Sequence, residues 1–116
     1  MTNFIWVTTQ KALFHSYPNA PEPVSFLRNE HRHLFHFKIY VEVFTDDRDI
    51  EFIMFKRFIE QVIDYKNMGS MSCEMIADKL FESISMQYKN RHIKIEVSED
   101  GENGVLMDYP VKKDEE

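Results

Sequence analysis

The segment NEHRHLFHFKIYVEV, Asn29 to Val43, decides the fold. Phe35, Phe37, Ile39, Val41 and Val43 share one parity, and His36, Lys38, Tyr40 and Glu42 the other, which is the two-residue period of a strand with one buried face. His31 and His33 fall on the apolar parity, and strand residues two apart project to the same side. Neutral imidazole is a good metal ligand, and catalytic zinc sites commonly use three protein ligands with a position left open. His15, upstream, is the natural third ligand if the chain returns antiparallel. The same pattern also fits two half-buried histidines satisfied by the backbone, so the residues alone leave both readings open. His36 has the wrong parity and His92 starts a later strand; both read as surface residues.

Upstream, Ile5, Val7, Leu13 and His15 share a parity within Phe4 to His15, predicting a first strand. SYPNAPEP, Ser16 to Pro23, then predicts a surface loop, because proline has no amide donor and restricts the residue before it. Downstream, TDDRD (Thr45 to Asp49) turns the chain. Phe55, Phe58, Ile59, Val62 and Ile63 then form the one-sided stripe of an amphipathic helix, which KNMGS (Lys66 to Ser70) ends. Ser72 is placed to cap a second helix with Glu74 in its first turn, and Ile76, Ala77, Leu80, Phe81, Ile84 and Tyr88 supply its stripe. Ile93, Ile95 and Val97 alternate in a third strand. Glu102-Asn103-Gly104 reads as the hairpin turn, since Asn and Gly tolerate positive φ, and Val105, Met107 and Tyr109 return.

The order ββααββ predicts an α+β domain over residues 1–110, a four-stranded antiparallel sheet with both helices on one face. Residues 111–116 read as a charged, disordered tail. The other sheet face would carry Trp6, Tyr40, Phe44 and Phe4, too many aromatics for a solvated surface, so another subunit is expected to cover part of it.

Composition narrows the function. A chain of 116 residues can bury a core without disulfides or structural metal, so a metal here would serve function rather than folding. The net charge of −6, with no basic cluster, argues against nucleic acid and anionic membranes as partners. One cysteine, Cys73, excludes an intramolecular disulfide, and the amino terminus lacks a signal-peptide pattern; a cytoplasmic protein is expected. Glu99 stands out because it shares the parity of Ile93, Ile95 and Val97. A carboxylate there must be paired or lie at the sheet edge. It could accept two hydrogen bonds from the N–H edge of a pterin or guanine, or mark where the strand leaves the core.

Together, the ββααββ order, His15 followed by His31-Arg32-His33, SMSCEMIADKL (Ser70 to Leu80) and IEVSEDGENG (Ile95 to Gly104) resemble the 6-pyruvoyltetrahydropterin synthase and 6-carboxytetrahydropterin synthase family over nearly the whole chain. The resemblance implies the tunnelling fold, an oligomeric barrel with active sites between subunits, and zinc held by His15, His31 and His33. It also implies a pterin or dihydroneopterin-triphosphate-like substrate gripped by Glu99, with Ser72 and Glu74 bordering the pocket, and a lyase-type reaction.

The departures from that pattern concern catalysis. Arg32 replaces the usual glycine between the two histidines, Leu27 and Phe26 stand where the family keeps its catalytic cysteine, and Arg28 where a variant subgroup has glutamate. The loop DYKNMGSM, Asp64 to Met71, lacks the family's Asp-His pair. Two substitutes are at hand: Glu30 beside His31, and Cys73 at a helix amino terminus, where the dipole favours thiolate. The alternative is an inactive member that binds a pterin, purine or nucleotide-like ligand.

Overall fold

The computed structural model describes residues 2–64 and 67–112. The expected tail therefore lies outside the described residues from position 113 onward, as do two positions of the connection between the helices. Four strands, β1 (Asn3–His15), β2 (His31–Val43), β3 (Ile93–Glu99) and β4 (Asn103–Tyr109), form one antiparallel sheet in the order β1-β2-β3-β4. Between β2 and β3 run α1 (Phe52–Val62) and α2 (Cys73–Gln87). The α+β architecture expected from the sequence is present.

Alternation decides which face is covered. Phe35, Phe37, Ile39 and Val41 of β2 and Ile93, Ile95 and Val97 of β3 are buried against Phe55 and Ile59 of α1 and Ile76, Ala77, Leu80 and Ile84 of α2. Each of these side chains other than the small Ala77 contributes about 1.5–3 kcal/mol on leaving water. The helices need caps as well as stripes. Ser72 Oγ accepts from the Met75 amide at 3.2 Å, and the Glu51 carboxylate accepts from the Ile53 amide at 2.6 Å.

Two local expectations are corrected. After Pro21, the expected loop winds into a short 3₁₀ helix, Glu22–Arg28, and folds back: the Tyr17 amide donates to the Leu27 carbonyl, Arg28 Nε donates to the Ala20 carbonyl at 2.8 Å, and Ala20 is buried. The β3–β4 turn lies two residues earlier than expected. Asp100, Gly101 and Glu102 form it, with Asp100 (φ 57°) and Gly101 (φ 69°) in the left-handed region. Gly104 sits within β4, where a Cβ would come within 2.2 Å of the Val97 carbonyl oxygen, so it serves close strand approach and not the turn.

The face away from the helices combines charge and aromatic surface. Lys38 Nζ lies 4.4 Å from the Trp6 ring centre, the Tyr40 hydroxyl donates to Glu96 at 2.6 Å, and Trp6 and Leu106 are more than half exposed. Phe44, expected on this face, lies just past β2 and packs under the Arg91 guanidinium at 4.5 Å. Among the described residues, no helix is long and apolar enough to cross a membrane.

Candidate metal centre

The β1–β2 register puts His15 directly opposite His31, with Leu13 opposite His33, so all three imidazoles share the helix-side face at one end of the sheet. Their ring centres are 4.5 Å apart for His15 and His31, 4.8 Å for His31 and His33, and 5.2 Å for His15 and His33. One ligating atom from each lies within 4.8 Å of the others, close enough to hold one metal ion.

The hydrogen bonds show which nitrogen of each ring is committed. His31 Nδ1 lies 2.8 Å from the Asn29 carbonyl oxygen, and His33 Nδ1 lies 2.7 Å from Asp100 Oδ2. His15 bonds the backbone of Met71. A carbonyl or ionised carboxylate oxygen only accepts, so the Nδ1 atoms of His31 and His33 carry a proton, and in the neutral ring the lone pair then lies on Nε2. All three Nε2 atoms are buried and have no hydrogen-bond partner. The plain alternative for such histidines, satisfaction by protein hydrogen bonds, accounts for one nitrogen per ring, through the backbone for His15 and His31 and through the Asp100 carboxylate for His33. It leaves three buried Nε2 atoms without a hydrogen bond, a cost of about 1–3 kcal/mol for a buried polar group left unsatisfied. A shared cation would satisfy all three. Burial lowers the His15 pKa against the opposing pull of the Glu99 carboxylate, and His31 and His33 lower it further; the neutral, ligating form is favoured.

A cleft of about 590 Å³ opens beside this cluster, lined by His15 and His31 together with Leu27, Ser72, Cys73, Glu74 and Glu99. Glu99, opposite Phe35 in the register, reaches toward the histidines: Oε1 is 3.4 Å from His15 Nε2 and Oε2 is 3.5 Å from His33 Nε2. Cys73 Sγ donates to Glu99 Oε1 at 3.9 Å. Ser72 spends its hydroxyl on the α2 cap, while Glu74 is exposed in the first turn.

Two expected substitutes for the acid–base relay are placed unfavourably. Burial first, then the Glu99 and Glu74 carboxylates, push the Cys73 thiol up to about 12, which outweighs the helix-dipole effect anticipated from the sequence. Glu30 is exposed, accepts from Asn67 Nδ2 at 2.9 Å and is not among the residues lining the cleft. Arg32 is exposed on the opposite parity from its histidine neighbours. Asp64 is exposed and pairs with Lys11 at 3.5 Å.

Sequence reasoning missed Asp100. The signal is the Asp100-Gly101 pair, a hairpin-turn dipeptide as strong as Asn103-Gly104. Compared with known protein families and with curated proteins, the chain matches none.

Proposed function

We propose that the chain is a divergent zinc protein of the 6-pyruvoyltetrahydropterin and 6-carboxytetrahydropterin synthase type, built on the tunnelling fold, and that its cleft takes a pterin-like substrate. The observation that carries this reading is the set of three buried Nε2 atoms, none with a hydrogen bond, gathered beside a cleft that also contains a carboxylate. Three imidazoles with room for a further ligand suit zinc. When bound, the metal would polarise a substrate carbonyl or hydroxyl oxygen.

The chain's own residues would do the rest. Glu99 would accept from the N–H edge of the heterocycle, with Ser72 and Glu74 at the rim. The ββααββ order and single antiparallel sheet are compatible with the tunnelling fold. Exposed Trp6 and Leu106 support covering of the outer face by further copies in a homo-oligomeric barrel; the reading places that oligomer in the cytoplasm. One observation favours a second reading within the same group: Cys73 is held as a thiol, so a member that binds a pterin, purine or nucleotide-like ligand without turnover follows if no other base is supplied.

Metal analysis of the purified protein should find about one zinc per chain, abolished by His33→Ala; a folded, metal-free wild type removes the site. Incubation with dihydroneopterin triphosphate, followed by mass spectrometry, should show side-chain loss if turnover survives. Binding alone leaves the second reading. In fluorescence titration with a pterin, Glu99→Ala should weaken affinity by about 2 kcal/mol or more; unchanged affinity takes Glu99 out of the site.

A further inference from the structure

Of the three imidazoles, His33 is the one whose Nδ1 meets a side-chain carboxylate; the Nδ1 of His31 meets a backbone carbonyl and His15 bonds the backbone of Met71. That carboxylate belongs to Asp100, a residue held in place with unusual completeness. Its Oδ1 accepts from the Leu34 amide at 2.9 Å, its own amide donates to the Leu34 carbonyl at 2.7 Å, and its Oδ2 lies 2.7 Å from His33 Nδ1. Asp100 adopts φ 57°, a conformation that few non-glycine residues take and that aspartate tolerates better than most. Glycine at this position would relieve the backbone cost, yet would remove the only group on the hairpin that reaches Nδ1.

The hairpin therefore addresses one imidazole from both sides. Glu99, the last residue of β3, lies 3.5 Å from His33 Nε2, and Asp100, the next residue, bonds Nδ1. Free neutral imidazole in a peptide can carry its proton on either nitrogen. A proton on Nε2 would point into the cluster and block the lone pair that a metal needs.

We infer that Asp100 is a positioning residue for the metal centre: it fixes His33 as the Nδ1–H tautomer and sets its ring plane, so that the Nε2 lone pair faces His15 and His31. The inference rests on the metal-binding reading proposed above and deepens it by adding the residue that orients a ligand. A carboxylate behind a ligating histidine also raises the ligand's basicity, and loss of such a partner typically costs about 10–100-fold in metal affinity. His31, with a neutral carbonyl partner, is predicted to depend less on its partner.

Two variants separate the roles. Asp100→Gly keeps the left-handed backbone and deletes the carboxylate; Asp100→Asn keeps an acceptor oxygen but removes the charge. Long-range ¹H–¹⁵N spectra of the metal-free chain should show His33 as Nδ1–H in the wild type. Asp100→Gly should move it toward Nε2–H while His31 stays as it was. Chelator competition with zinc alone should show affinity falling about 10–100-fold in Asp100→Gly and less in Asp100→Asn, with an altered visible spectrum when cobalt(II) replaces zinc. An unchanged His33 tautomer overturns the inference, as does unchanged zinc affinity in a chain that binds zinc. If the wild type takes no zinc, the metal reading fails by itself, and the tautomer measurement still decides whether Asp100 orients His33.

Discussion

At the scale of single residues, polar satisfaction separates the histidines here from ordinary buried ones. His15, His31 and His33 were legible as a set because parity on a strand fixes the face, and the antiparallel return from His15 placed it opposite His31. Their Nδ1 partners were not legible. Asn29 reaches His31 from only two residues away, through a backbone carbonyl that side-chain periodicity does not encode, whereas Met71 and Asp100 reach His15 and His33 through tertiary geometry. Cys73 shows the same limit. Its position at a helix start was readable and its surroundings were not, and burial with two carboxylates reverses the expected shift. With the thiol pushed up to about 12, roughly one thiol in ten thousand is ionised at pH 8. Alkylation of the metal-free chain by iodoacetamide should therefore be slow, with a rate still climbing above pH 9. Glu99→Gln should speed it by removing one of the charges that disfavour thiolate. A rate that levels off near neutral pH would restore Cys73 as a candidate nucleophile.

At the scale of elements, the β3–β4 hairpin is where sequence signals competed. Both Asp100-Gly101 and Asn103-Gly104 can turn a chain, and both registers keep Ile93, Ile95 and Val97 facing the core, so the hydrophobic pattern could not choose between them. The observed register pairs Ile93 with Tyr109 and Glu99 with Asn103, leaving Asp100 free to bond β2. Gly104 is then constrained by packing. Gly104→Ala would set a methyl 2.2 Å from the Val97 carbonyl oxygen and 2.5 Å from Ser98 Cα, contacts with backbone that cannot swing aside. The expected cost is about 1–3 kcal/mol, read as a lower urea midpoint with little change in slope. Because this hairpin carries Glu99 and Asp100, zinc affinity should fall in the same variant. An unchanged midpoint would show that the strands relax apart without loss.

At the scale of the whole molecule, the described residues leave the sheet open on one face and β1 and β4 at its edges. β1 offers a 13-residue outer edge, and among the described residues the one isolated bridge beside it joins Phe14 to Asn67 near its end. Unpaired edges and an exposed aromatic face are costly in an isolated chain, and covering them with further copies resolves both at once. Trp6 is the sole tryptophan and lies on that face with about half its surface exposed, so it reports directly on covering. If the chains assemble through this face, Trp6 emission should be blue-shifted in concentrated protein and shift to the red on dilution, in step with falling mass by light scattering. Trp6→Glu should give monomers, since a charge at a buried interface position lacks a partner. Zinc binding should survive in that monomer, because His15, His31 and His33 come from one chain. Pterin binding should be lost with assembly if the ligand site is shared between subunits. A wild-type protein that stays monomeric at high concentration, with red-shifted Trp6 emission throughout, would sink the oligomeric barrel while leaving the metal centre intact.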